Sequence, residues 1–532
     1  MEGGWLLIRI PTHPHTHSPA YPPAYPLTRL PTRPPTHSPA HPLPKMLLGI
    51  DLGTSSLKAL LMNADGTVIG EASHPYPVNA PRPGWAESDP QDWWEATAIA
   101  LRQAVGANAS QVRAIGLSGQ MHGVVVCDAA GNPLRPAMLW ADGRSHAELD
   151  HYRALGGEAL RPLANPLTVG MAGPSLLWLR QWEPEIYRAA RWALQPKDWL
   201  RLRLTGSAAT EPSDASGTLM SDVARGTWAI ALLEALNLRT DWLPPIIASS
   251  AIAGTLTRNA AEHLGLPANL PVAAGAADTA AALLGGGLTT PGTCQLTIGT
   301  GAQITLVRDR PILDPHGCTH LFHTALPRQW YALAAMQNAG LALDWVRQLL
   351  GLSWADLYNQ AFTIAPGCDG LVCLPYFTGE RTPHLDPTPA AAWIGLGLHH
   401  TRAHLARAAL EGVAFAIAQG FAALQNTGAN PDTLQLAGGG SLHPQWRQLL
   451  ADVLQRPLHS VETGSASARG AALLAGLGIG QYRQGEAAWK TPNPSEAIAL
   501  PLQLTHPNPL HPALETAQQR FAQLYPAVRS QA

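Results

Sequence analysis

Residues 46–62 read Met46-Leu47-Leu48-Gly49-Ile50-Asp51-Leu52-Gly53-Thr54-Ser55-Ser56-Leu57-Lys58-Ala59-Leu60-Leu61-Met62. Leu47 to Ile50 predict a buried strand and Leu57 to Met62 a second one, with a turn rich in glycine and hydroxyls between them. Asn63-Ala64-Asp65-Gly66 predicts the next turn, with glycine where positive φ is easy, and Thr67-Val68-Ile69 a third strand. The stretch is therefore an antiparallel meander. Gly53 lets the backbone approach a ligand, and the N–H groups and hydroxyls of Gly53, Thr54, Ser55 and Ser56 suit phosphate oxygens. Asp51, at the end of the first strand, is the candidate Mg²⁺ ligand, directly or through water, because magnesium prefers carboxylate and water oxygens. An ordinary hairpin with a polar turn would read the same way in isolation.

A similar arrangement returns in the second half. Cys294 to Ile298 predict a strand, Gly299-Thr300-Gly301 a turn and Ala302 to Val307 another strand. Two such hairpins, one per half, suggest a duplicated architecture that grips a triphosphate from both sides. Leu434 to Ala437 then run into Gly438-Gly439-Gly440-Ser441, ahead of a helix over Pro444 to Leu454. Those glycines leave room for a flat adenine or ribose, although the spacing is not the G-x-G-x-x-G of dinucleotide binding.

Leu270 to Ala277 form an almost wholly apolar approach to Asp278, after which Thr279 to Leu284 predict a small-residue helix. Asp278 reads either as a helix cap or as a general base for a substrate hydroxyl, and the two roles are compatible. The helix dipole is expected to keep its carboxylate ionised, at ordinary carboxylate basicity. Gly116 to Gly123 read as a loop between strands Ala114–Leu117 and Val124–Cys127. Within it, Met121 suits a carbon face and His122 a hydroxyl; a hairpin-loop histidine with only local bonds is the alternative.

At 532 residues the chain calls for two large domains. Residues 1–45, rich in Pro, His and Thr, repeat Thr-His-Ser-Pro-Ala at 16 and 36 and are expected to be disordered. Net charge of −2 makes no case for nucleic acid or an anionic membrane. No uninterrupted apolar run approaches the roughly 20 residues of a membrane span. Five scattered cysteines fit a reducing compartment, so a cytoplasmic protein is expected.

These motifs resemble those of the FGGY carbohydrate kinases, and within them the xylulokinases. The resemblance rests on Ile50 to Ser55, Ile298 to Gly301, Gly438 to Gly440 with Trp446-Arg447-Gln448, and Ala466 to Ala472. Ser118 to Gly123, Trp140 to Arg144, Leu194 to Leu200, Ser213 to Gly217 and Gly379 to Pro383 add to it. It implies an α/β protein of two actin-like (ribonuclease-H-like) domains with the active site in the interdomain cleft. Residues 46–288 would carry the sugar site, the first phosphate hairpin and the catalytic Asp. Residues 289–532 would carry the second phosphate hairpin and the adenosine site.

The implied reaction is ATP- and Mg²⁺-dependent phosphorylation of a pentulose, D-xylulose, in xylose catabolism. Asp278 is the implied base, beside Met121, His122 and Thr279 at the sugar and Asp51 at the metal. A small-molecule sugar is the implied partner, with room for a homodimer. Thr279 stands where xylulokinase-like sequences carry Asn, Ala141 where a polar residue is common, and Ser441-Leu442-His443 in place of a small, basic run. Ribulose, glycerol or gluconate is the alternative acceptor; an actin-like ATPase acting on protein partners is the alternative class. Lys197-Asp198-Trp199 reads as an amphipathic helix start with no catalytic role, and Asp142 with Arg144 as sugar-site lining or a surface ion pair.

Overall fold

The computed structural model describes residues 46–441, 443–461, 464–483 and 503–530; the tail expected over 1–45 lies outside them. The opening stretch folds as the meander its pattern predicts. Strands β1 (Met46–Leu52), β2 (Ser56–Asn63) and β3 (Val68–Pro75) pair antiparallel in sequence order. Helix α1 (Pro90–Val105) packs on β2 and β3, its N-terminus capped by Asp89 and opened by Pro90, whose missing N–H costs nothing there. β4 (Val112–Gly119) then lies parallel to β1.

The loop over 120–123 is not a hairpin. β4 extends to Gly119, and the strand Val125–Cys127 pairs with Trp192–Leu194 instead of with β4. After helices α2 (Pro196–Thr205) and α3 (Pro212–Ser216), strands β5 (Ile252–Thr255), β6 (Pro271–Ala273) and β7 (Ala276–Ala277) complete the first sheet. Its order is β5-β6-β4-β1-β2-β3, with β7 also paired to β4. Helix α4 (Asp278–Gly285) leaves directly from β7.

The second sheet is built from β8 (Cys294–Ile298), β9 (Ala302–Arg308), β10 (His320–His323), β11 (Trp330–Met336), β12 (Leu434–Ala437), β13 (Leu458–Ser460) and β14 (Leu504–Thr505). Its order is β10-β11-β9-β8-β12-β13-β14. Both sheets thus carry an antiparallel hairpin beside parallel strands, the duplication that the two Gly/Thr turns suggest. Helix α5 (Arg402–Gln425) packs on β9 and β11. By length and mean hydropathy it would cross a bilayer, yet 78% of its apolar window is buried inside the protein. Helix α6 (Pro444–Leu454) packs on α5, and its Trp446 is fully buried.

Helix α7 (Ala466–Gly478) lies between β13 and β14 of the second sheet in sequence but packs on β1, β4 and α4 of the first. Its backbone comes close enough that a Cβ on Gly49 would stand 1.8 Å from the Ala468 carbonyl oxygen, and one on Gly116 1.9 Å from that of Ala471. The two lobes interleave through this helix.

Candidate active site

Three neighbouring parallel strands end at one edge of the first sheet. Asp51 of β1 is in register with Ser118 of β4, and Ser118 is in register with Ala276 of β7. The chain leaving β1 forms the first Gly/Thr turn, the chain leaving β4 carries Met121 and His122, and the chain leaving β7 begins with Asp278. A ligand site outside the carboxyl ends of parallel strands is the expected outcome of this topology.

Asp278 is the first residue of α4; Ala277 holds the capping position. Its carboxylate accepts from the Thr279 N–H and from the Thr279 hydroxyl at 3.1 Å. Burial, with the nearby Asp51 charge adding to it, pushes the Asp278 pKa up to about 6. This corrects the expectation of ordinary basicity: desolvation outweighs the helix N-terminus and the two Thr279 bonds. Asp51 accepts from Ser118 Oγ at 3.0 Å, and burial raises its pKa despite that bond and the charge of Lys58.

Met121 is buried, and the Tyr331 hydroxyl donates to its Sδ at 3.7 Å. His122 sits at φ +76° and donates from Nδ1 to the Gly217 carbonyl at 2.7 Å. That tautomer leaves Nε2 as an acceptor. Burial pushes the His122 pKa down to about 4, so the ring is neutral at physiological pH. Phe322 leans on His122 with ring centroids 5.7 Å apart. Tyr331 and Phe322 come from β11 and β10, so the second lobe roofs Met121 and His122 of the first. Burial, then the charges of Asp278, Asp214 and Glu211, hold the Tyr331 phenol well above its ordinary range, so it donates and does not ionise.

Gly217 is tied to this packing by contact alone, since its φ of −90° suits any residue. A Cβ there would lie 2.9 Å from His122 Nδ1 and 3.1 Å from Met121 Cε. Gly217→Ala should therefore push both side chains and raise the KM for the phosphate acceptor about 10-fold, with the ATP KM unchanged. Steady-state kinetics with each substrate varied in turn checks it.

In the first turn, Gly53 N–H bonds Ser56 O at 3.1 Å, while Gly53 O accepts from Gln120 Nε2 at 3.3 Å and from the Tyr76 hydroxyl. Trp140 Nε1 donates to Thr54 Oγ1 at 2.9 Å, which brings the Trp140 segment beside this turn. Ser55 is exposed, and Gly53, Thr54 and Ser56 are half-buried. In the second turn Gly299 and Thr300 are exposed and Gly301 half-buried. Because β12 runs parallel to β8, Gly438 to Gly440 lie against the end of β8; Cβ atoms on Gly438 and Gly440 would approach Ile298 to 2.3 and 2.5 Å. The second hairpin and the triple glycine thus share one rim. Ser441 ends the short 3-10 turn that follows; its side chain lies outside the described residues.

Arg381 half-buries its guanidinium 6.0 Å from the Trp140 ring centroid, and its charge reaches His122 and His320. Asp142 and Arg144 are neither sugar lining nor a surface pair. They form a 2.6 Å ion pair with side chains only 1% exposed, joined by Glu87 at 2.7 Å and stacked under Trp85. The motif there is structural, holding Ala86 N–H on Asp142.

The donor set at Asp51 fits Mg²⁺. Asp51 and Asp278 set two carboxylates near one strand edge, and their mutual repulsion is what a divalent cation relieves. Among the described residues no group of three or more His, Cys, Asp or Glu side chains is arranged to hold a metal ion by itself. That suits a metal that takes one carboxylate and fills its remaining positions with water and phosphate oxygens.

Residues 46–285 match the N-terminal domain of the FGGY family of carbohydrate kinases, and residues 294–479 its C-terminal domain. A xylulose kinase of Escherichia coli (strain K12) is 38% identical over 433 residues, covering 81% of this chain and 89% of that protein. A glycerol kinase of Alkalilimnicola ehrlichii is 33% identical over 451 residues, covering 82% and 90%. The crystal structure of xylulose kinase from Rhodospirillum rubrum superposes with a TM-score of 0.82 at 30% identity, covering 91% and 99%. With both domain signatures in place on a two-lobed α/β frame, the chain belongs to the FGGY family of carbohydrate kinases, most like its xylulose kinases, and is a phosphotransferase that takes ATP as donor.

Proposed function

We propose that the protein transfers the γ-phosphoryl group of ATP to the terminal C5 hydroxyl of D-xylulose, with Asp278 as general base. The observation that carries this reading is the convergence of Asp278, Met121 and His122 on adjoining strand ends, under Tyr331 and Phe322 of the other lobe. Met121 and the aromatic rings suit the carbon face of a sugar, and the bare Nε2 of His122 accepts a hydroxyl. The Arg381 guanidinium has no side-chain acceptor among the described residues and offers its N–H groups to ketose oxygens.

Asp278 takes the proton of the C5 hydroxyl as that oxygen attacks the γ-phosphorus in line. A pKa of about 6 leaves this carboxylate ionised at neutral pH yet more basic than an exposed one. The turns Gly53 to Ser56 and Gly299 to Gly301 hold phosphates, and Gly438 to Ser441 the adenosine. Mg²⁺, held at Asp51 with water and phosphate oxygens, supplies charge neutralisation when bound. Burial of the acceptor between lobes excludes water that would otherwise compete for the phosphoryl group. The products are D-xylulose 5-phosphate and ADP, which places the enzyme in pentose catabolism. All five cysteines are buried and unpaired, which supports a reducing, cytoplasmic setting.

Thr279 favours one second reading. Its hydroxyl is turned onto Asp278 at 3.1 Å and does not reach out as a longer amide would, so an acceptor needing fewer contacts, such as ribulose, glycerol or gluconate, would also fit. A coupled ADP-release assay over D-xylulose, L-xylulose, D-ribulose, glycerol and gluconate decides. The highest kcat/KM is expected for D-xylulose. Fast turnover of glycerol with none of xylulose would overturn the substrate, and ADP release indifferent to any sugar would point to the actin-like ATPase class.

A further inference from the structure

Five charged side chains are sealed beneath the active site, all fully buried: Lys197, Asp198 and Arg201 of α2, with Glu211 and Asp214 at α3. Lys197 Nζ lies 2.7 Å from Asp198, 3.3 Å from Glu211 and 2.8 Å from Asp214, and Arg201 lies 2.9 Å from Asp198. Burial, opposed by Lys197 but reinforced by Asp198 and Glu211, raises the Asp214 pKa well above the ordinary carboxylate value. The cluster sets two basic side chains against three acidic ones. Burying such a set is expensive, and well-packed apolar residues of like volume serve stability as well or better. Its value is therefore sought in what it touches.

Four contacts lead from it to the reaction. Glu211 caps α3 by accepting from Ser213 and Asp214 N–H and from Ser213 Oγ, and Ser213 Oγ in turn accepts from Ala277 N–H at 2.9 Å. Ala277 is the residue before Asp278. Arg201 grips the link between β6 and β7, donating to the Ala274 carbonyl at 2.5 Å. At the far end of α3, Gly217 O holds His122 Nδ1, and Ser216 Oγ accepts from His323 N–H of the second lobe at 3.2 Å. One seven-residue segment, 211–217, thus touches the strand that delivers the base, the sugar-facing histidine and the roof.

We propose that the Lys197 cluster is a positioning device for phosphoryl transfer, in which Lys197 fixes Glu211 and Asp214 so that residues 211–217 aim Asp278 and orient His122. This rests on Asp278 being the base. The residues of the cluster do not touch the substrate and act through Ser213 and Gly217. Among sequence motifs, Ser213 to Gly217 and Lys197-Asp198 are thereby given a shared task that an amphipathic helix start does not explain.

Ser213→Ala severs the link to Ala277 by removing one buried hydroxyl, which also donates to Glu211. Its kcat on D-xylulose should fall about 10- to 100-fold, the scale of a misaimed catalytic group, with the ATP KM unchanged and the melting temperature nearly retained. The acid break of its pH–rate profile should move, because the surroundings of Asp278 change. In Asp278→Asn, adding Ser213→Ala should cost little further rate, since the group to be aimed is already gone. Wild-type kcat in Ser213→Ala overturns the proposal, as does an undiminished loss on the Asp278→Asn background. So does a kcat loss that follows a fall in melting temperature with the acid break unmoved. Wild-type kcat in Asp278→Asn alone would instead remove the base reading and leave the aiming of His122 to be judged from the acceptor KM.

Discussion

Asp278→Asn should lower kcat for the sugar about 10³-fold, within the range expected for loss of a general base, while the protein melts at the same temperature or higher. The amide keeps the size of the side chain and an oxygen for the Thr279 N–H, so little structure is lost. It removes a charge that the fold disfavours. Burial, then Asp51, raises the Asp278 pKa from 3.8 to about 6. A carboxyl raised in this way lends stability below its ordinary pKa and loses it as pH rises through about 6. The melting advantage of the variant should therefore grow between pH 5 and pH 8. Thermal melts at both values, beside ADP release at saturating substrates, check both halves. A variant that is inactive and also less stable at pH 8 would mean that Asp278 serves mainly as a helix-start residue.

Gly116→Val should destabilise the protein by about 3 kcal/mol or more, at the upper end of overpacking effects. A Cβ at 116 would stand 1.9 Å from the Ala471 carbonyl oxygen and 2.6 Å from its carbon, both backbone atoms that cannot rotate away. Either β4 or α7 has to move. α7 is also locked to α4, where a Cβ on Gly470 would come within 1.9 Å of the Ala281 carbonyl oxygen. Displacing α7 therefore shifts the helix that begins with Asp278, and kcat should fall with stability. Urea unfolding checks the first effect and ADP release the second. Gly157→Ala, where nothing stands within 4 Å of the added carbon, is the control and should leave both unchanged.

The parts of the molecule most legible in sequence are the local ones. The β1–β2–β3 meander shows in residues 46–69 because each strand pairs with its sequence neighbour and each turn carries its own glycine. Asp278 shows because an apolar strand ending in an acid ahead of a small-residue helix is a local signal. Lys197-Asp198 reads as an amphipathic helix start, its charges turned to solvent as charge usually is; only tertiary pairing brings Lys197 within salt-bridge distance of Glu211 and Asp214, 14 and 17 positions away. Asp142 and Arg144 mislead for the same reason, since Glu87 and Trp85 complete them from a distant segment. Tyr331 and Phe322 look like ordinary core residues of β11 and β10; nothing in their alternation says that they face the other lobe. The return of α7 to the first sheet is equally silent, although its run of Ala and Gly is the trace of close backbone packing.

The most direct measure of the central claim is the pH dependence of kcat/KM for D-xylulose in the wild type and in Asp278→Asn. The wild type should lose activity tenfold per unit as pH falls below about 6, where burial and Asp51 place the carboxyl. The residual activity of the variant should be flat over that range. The same break in both proteins would show that another group governs the acid limb and would contradict a mechanism built on Asp278.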